Sequence, residues 1–151
     1  MNKKICFIFG FVLFFVGCGD KSGVNINAQT QQAIVSTKKV RVEAQDRTAL
    51  LLTATYMNNI KKYSKEERDI IILSSYYSPS TDDMPNVTLN GKTVEILQID
   101  SDNDILKDLP SRNIWSRYYK IETDKDKKDT LLLTVEIRPF PQVLLELSKE
   151  L

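Results

Sequence analysis

Two stretches, residues 48–57 and 69–77, are apolar or β-branched at almost every position, and they constrain the fold more than anything else in the chain. The first reads Thr-Ala-Leu-Leu-Leu-Thr-Ala-Thr-Tyr-Met and the second Asp-Ile-Ile-Ile-Leu-Ser-Ser-Tyr-Tyr. Such runs suit central strands of a sheet. Shorter runs surround them. Val40 and Val42 alternate with Lys39, Arg41 and Glu43, as in a half-buried strand. Residues 87–89 lead into Asn90-Gly91, a strong hairpin signal, and residues 93–99 return. Residues 117–122 hold Tyr118, Tyr119 and Ile121. Leu131, Leu133, Val135 and Ile137 alternate with Leu132, Thr134, Glu136 and Arg138, and Val143, Leu145 and Leu147 form a last strand. About seven strands in so short a span, with no helix beyond a turn or two, predict an all-β antiparallel sandwich, because a single sheet would leave one apolar face uncovered.

The connections carry turn signals. Ser64-Lys65-Glu66-Glu67 has capping-box spacing and predicts a helical turn between the two central strands. Residues 104–109, stopped by Pro110, predict another. Residues 124–129 are all charged and read as a solvated hairpin loop. Pro139-Phe140-Pro141 predicts an extended corner before the last strand.

The N-terminus is of another kind. Lys3 and Lys4 precede an uncharged run of twelve residues, 5–16. That is the length of a signal-peptide core and short of the roughly twenty residues that cross a bilayer. The run ends in Phe15-Val16-Gly17-Cys18. These four residues resemble the lipobox of bacterial lipoproteins, with Phe15 where Leu is most common. The resemblance implies cleavage after Gly17, with diacylglycerol and acyl chains attached to Cys18 as the bilayer anchor. Asp directly after the Cys commonly marks inner-membrane retention. Gly19 takes that place here and Asp20 comes one later, so the expected location is the outer membrane facing the periplasm, or the cell surface. Each buried CH₂ contributes about 0.8 kcal/mol and one chain holds only marginally, so two or three chains on Cys18 would make residence stable.

Processing would change the charge balance and the aromatic content. Lys3 and Lys4 leave with the signal and no acidic residue does, so the net charge moves from +1 to −1. Five of the six Phe leave as well, and the remaining chain holds no free thiol once Cys18 is modified. Residues 19–37 are rich in Asn, Gln, Ser and Gly and read as a flexible tether, with an edge strand at 24–28 as the alternative. The expected organisation is a signal peptide at 1–17, a lipidated N-terminus and tether at 18–37, and a β-sandwich at 38–151.

Lipobox, short tether and small all-β domain together resemble small Gram-negative lipoproteins with a variant immunoglobulin-like domain. The phrases that carry this are Ala49-Leu50-Leu51 through Tyr56, and Trp115-Ser116-Arg117-Tyr118-Tyr119. The resemblance implies an immunoglobulin-like sandwich and no catalytic residues. The Cys–Trp–Cys core of antibody domains is absent, since no Cys lies past position 18.

Candidate chemistry is sparse. His is absent, which removes the commonest acid–base group near neutral pH. Asp100, Asp102 and Asp104 begin like a calcium loop, but the positions that need Gly and Glu hold Ile105 and Ser111. No nucleophile elbow occurs, and Ser36 with Lys39 lacks companion motifs. The reading is therefore of a non-enzyme without a cofactor other than the lipid on Cys18. It would bind a protein partner of the cell envelope and no nucleic acid, with an adhesin for host protein or glycan as the alternative. Tyr76, Tyr77, Arg112, Trp115, Arg117 and Tyr118 have the composition of a recognition surface. Against this, a domain with one Phe needs aromatic volume inside, which predicts Trp115 and Tyr119 in the core and Tyr118 exposed.

Overall fold

The computed structural model describes residues 28–44, 47–77 and 83–150. The proposed signal peptide, Cys18 and residues 18–27 lie outside them. Among the described residues no helix is long and apolar enough to cross a membrane.

A short helix, α1 (Ala28–Val35), precedes nine strands: β1 (Thr37–Ala44), β2 (Arg47–Tyr56), β3 (Arg68–Tyr77), β4 (Asn86–Leu89), β5 (Lys92–Thr93), β6 (Ile96–Ile99), β7 (Arg117–Asp124), β8 (Thr130–Glu136) and β9 (Val143–Ser148). They form two antiparallel sheets, β1-β2-β3-β7-β6 and β5-β4-β8-β9. The all-β, two-sheet expectation holds, with more strands than the roughly seven predicted. The return arm of the hairpin explains part of the excess. Asn90 and Gly91 have φ of 50° and 80°, left-handed values that suit a two-residue hairpin turn. β5 then pairs with β4, and after Val94-Glu95 the chain has changed sheets, so that β6 pairs with β7. One apolar run thus serves two sheets and joins them along one side.

Between the sheets lies the main core. Leu50, Leu52, Ala54 and Tyr56 of β2 meet Ile71 and Leu73 of β3, Tyr119 and Ile121 of β7, and the inward residues of β8 and β9. The other face of the five-stranded sheet is half covered. Ile70, Ile72 and Tyr118 pack there against Ala33 of α1, Met57 and Ile60 of the linking turns, and Leu106 of the 104–108 turn. This third layer explains why the first part of residues 69–77 is apolar on both faces: odd positions face the second sheet, and Ile70 and Ile72 face the helical cover.

The structure corrects three expectations. Residues 28–35, read as tether, form α1. Its Ala and Gln residues favour helix, Ala33 is wholly buried, and the helix end is closed by Ser36 N–H on Gln32 C=O and Thr37 Oγ1 on Ala33 C=O. Eight residues with one buried side chain leave too faint a period to read. The helical turns between β2 and β3 lie at Met57–Asn59 and Lys61–Tyr63, before Ser64 rather than after it. Ser64 closes the second, its hydroxyl donating to Lys61 C=O, because Met57 and Ile60 are the residues with apolar surface to bury. Finally, the Pro139 corner is a turn closed by Phe140 N–H on Ile137 C=O, with the Arg138–Pro139 peptide cis. The predicted turn after Asp104 is present, as a 3-10 helix at Asp104–Asp108 that Asn103 caps through its side chain.

The charged 124–129 loop is less solvated than its composition implies. Asp69, on β3, has a fully buried carboxylate. It accepts from Tyr56 OH at 2.7 Å, from Asp126 N–H at 2.8 Å and from Lys149 Nζ at 2.6 Å. Lys149 also donates to Asp126 C=O. This network ties two central strands to the loop and to the end of β9.

Candidate functional site

The six residues with recognition-surface composition converge at one end of the five-stranded sheet, but they divide by role. Tyr77 ends β3 on the inner face. Its hydroxyl donates to Asp83 C=O and accepts from Arg117 Nη1 at 2.9 Å, while the Arg117 guanidinium lies over its ring. Tyr118 is buried, which corrects the expectation that it is exposed. Its hydroxyl accepts from Asn113 N–H at 2.7 Å and donates to Asn113 C=O at 3.0 Å. Tyr76, Arg112 and Trp115 remain at the surface.

Trp115 is the second correction. It is 75% exposed, while Tyr119 is fully buried as expected. The reason is where the strand begins. β7 starts at Arg117, so the alternation that would place Trp115 with Tyr119 never reaches it. Trp115 sits instead on the 109–116 segment, beside Ile114, which is 84% exposed and escaped notice in the sequence. Nothing in an isolated Asn-Ile-Trp signals exposure, which depends on where the strand begins.

This segment is well held. Besides the two bonds from Tyr118, Asn113 Oδ1 accepts from Trp115 N–H at 2.9 Å and Asn113 C=O accepts from Ser116 N–H. Two large apolar side chains are therefore presented to solvent on backbone that is already ordered. Little backbone conformational entropy remains to be lost on contact.

Beneath the segment is a groove of about 180 Å³. It occupies the part of the outer sheet face that the helical layer leaves bare. β2 and β3 supply its floor through Thr53, Thr55 and Ser74, with Leu51 and Ile72 beside them. The register sets these residues side by side, pairing Thr53 with Ser74 and Thr55 with Ile72, and puts Tyr76 next to Leu51. Leu109 to Asn113 and Ser116 form the wall, and Lys39 stands on the opposite lip. The groove is smaller and more enclosed than the trough of about 310 Å³ between the free edges of β1 and β9.

Titratable groups with displaced pKa values lie elsewhere. In the helical cover, Asp108 accepts from Lys62 Nζ and Tyr63 OH at 2.8 and 2.6 Å. Burial works to raise its pKa, but these two donors outweigh it and leave the carboxyl below its ordinary value. Burial and then Asp108 push the Tyr63 phenol up. Burial, followed by Asp69, does the same to Tyr56. A phenol held protonated makes a poor base, and these groups link elements rather than facing a hollow. Among the described residues no group of three or more Asp, Glu, Cys or His side chains is arranged to hold a metal. The start of the calcium-like loop is engaged otherwise, with Asp104 held by Lys107 at 2.6 Å.

Fold and site together define a β-sandwich with a helical layer on half of one sheet and a rigid, apolar-tipped segment overhanging the bare half. No protein-family model, curated protein or solved structure matches the chain.

Proposed function

We propose that the chain is a lipid-anchored, non-catalytic binding module of the cell envelope that docks a protein partner through the 109–116 segment. The observation that carries this is the pair Ile114 and Trp115, exposed by 84% and 75% on backbone braced by Tyr118. An exposed aromatic on ordered backbone is the kind of anchor on which binding energy concentrates. Attachment through Cys18 and export to the outer membrane, facing the periplasm or the cell surface, rest on the lipobox-like Phe15-Val16-Gly17-Cys18. The immunoglobulin-like assignment draws on two facing antiparallel sheets. The consecutive strands β1, β2 and β3 within one sheet are its departure from that pattern.

A photo-cross-linking residue at position 115 of the full chain, in cells, tests the docking role. A single defined adduct is expected, and it should vanish when Ile114→Ser is added. Scattered adducts, or one indifferent to Ile114, count against the reading. Labelled palmitate should enter the wild type and not Cys18→Ser. The second reading, a surface adhesin for glycan, is favoured by the hydroxyl-lined groove. Protease treatment of intact cells separates the two, since a domain protected until the outer membrane is opened is not an adhesin.

A further inference from the structure

The groove has a one-sided chemistry. Lys39 and Arg112 both line it, and neither has an ion-pair or hydrogen-bond partner for its side chain among the described residues. No Asp or Glu contributes to its lining, although the chain as a whole carries 20 acidic against 21 basic residues. Two unneutralised cations facing one concavity favour an anion there. The rest of the lining is short and hydroxylic. Thr37 Oγ1 donates to Ala33 C=O, so in the 2.8 Å contact between Thr37 and Thr55 the donor is Thr55. The side chains of Thr53, Ser74 and Ser111 keep their hydrogen-bonding capacity unspent. Leu51 and Ile72 supply an apolar patch of the floor.

We infer that this groove binds a single acidic sugar residue, a uronate or a sugar phosphate, with its oxyanion between Lys39 and Arg112 and its hydroxyls on the threonine and serine floor. The inference rests on the glycan reading of the groove and makes it specific. Three features point the same way. Charge-assisted bonds from Arg and Lys are the strong contacts available to an oxyanion. Hydroxyls from two strands and from the 109–116 segment match the many hydroxyls of a sugar, and the aliphatic part of the floor matches the C–H face of its ring. The volume, about 180 Å³, is below the roughly 300–1,000 Å³ of pockets for drug-sized ligands and admits one ring rather than a chain of them.

The test is NMR titration of the full-length protein with glucuronate, glucose 6-phosphate, glucose and inorganic phosphate. Both acidic sugars are expected to shift the amide signals of Thr53, Ser74 and Asn113, with a Kd on the order of 1 mM at low salt. Lys39→Met and Arg112→Gln should each weaken them about tenfold, one removed charge-assisted bond. Both side chains are exposed, so both variants should keep the wild-type spectrum elsewhere. Glucose should bind at least tenfold more weakly than glucuronate. Equal binding of glucose overturns the acidic-sugar inference and leaves the glycan reading intact. Equal binding of inorganic phosphate and glucose 6-phosphate overturns it too, reducing the groove to an anion site. If no sugar shifts those signals, inference and glycan reading fall together, while protein docking through Trp115 stands.

Discussion

Removing the Lys149 side-chain charge should cost more stability than removing any surface charge in the chain. Lys149 Nζ lies 2.6 Å from Asp69 Oδ2; the Asp69 side chain is wholly buried and that of Lys149 is 13% exposed. Lys149→Met keeps most of the aliphatic stem and takes away the ammonium, whose nitrogen also lies 5.8 Å from the centroid of the Tyr56 ring. Asp69 then holds a buried negative charge with two neutral donors, Tyr56 OH and Asp126 N–H. Breaking a buried pair from one side typically costs about 3–5 kcal/mol. The two remaining donors place this case at the lower end, about 3 kcal/mol. For a domain of this size that corresponds to a fall in Tm on the order of 10 °C. The assay is urea unfolding followed by far-UV circular dichroism, because Trp115 is too exposed for its fluorescence to report the core. Lys107→Met, at an exposed pair, is the control and should change almost nothing. The double variant Asp69→Asn with Lys149→Met should recover part of the loss, since no uncompensated charge is left. A cost below about 1 kcal/mol for Lys149→Met, at the level of surface pairs, would refute the assignment of a buried, network-forming charge.

Other perturbations follow from particular contacts. Tyr119 OH is buried with no hydrogen-bond partner among the described residues; an unmet buried donor costs about 1–3 kcal/mol, so Tyr119→Phe should unfold at equal or higher urea concentration than the wild type, and a clear loss would expose a hidden partner. Asp108 has a folded-state pKa below its unfolded one. Its contribution is therefore complete above the unfolded value of about 3.9, and it is lost as pH falls through the folded value. Acid unfolding curves should show a smaller decline below about pH 4 in Asp108→Asn than in the wild type. Tyr56 behaves in the opposite sense: its folded pKa is raised, so its contribution is complete below about pH 10 and declines as pH rises beyond that. Tyr56→Phe should flatten the alkaline limb of a pH–stability curve. Finally, Ile114→Ser with Trp115→Ala should leave urea unfolding within about 0.5 kcal/mol of the wild type, since neither side chain is buried.

The strand content of this chain was legible because β-branched and alternating runs leave few other options. Residues 48–57, 69–77 and 131–138 carry the patterns, and the strands begin and end within a residue or two of them. The Asn90-Gly91 hairpin follows from two residues able to take positive φ. A lipobox-like N-terminus is equally a property of local sequence, since a processing enzyme would read it before any fold exists. The site was legible in part. Composition drew attention to Arg112, Trp115 and Tyr76; Arg112 lines the groove, Trp115 lies on the segment that walls it, and Tyr76 pairs in register with Leu51 of its floor.

What the tertiary structure alone decided was which face of each residue found a cover. Tyr118 and Tyr119 are adjacent and chemically identical. One props the 109–116 segment under a helical layer and the other fills the core, because the five-stranded sheet is covered on both sides at that point. Trp115 lies two residues before β7 begins, and that offset turns a core aromatic into an exposed one. Asp69 and Lys149 are 80 residues apart and meet only when β9 closes against the sandwich. A one-dimensional pattern carries the period of a strand and the chemistry of its residues. Burial depends on neighbours brought from distant parts of the chain, and those exist only once the two sheets and their helical cover have come together.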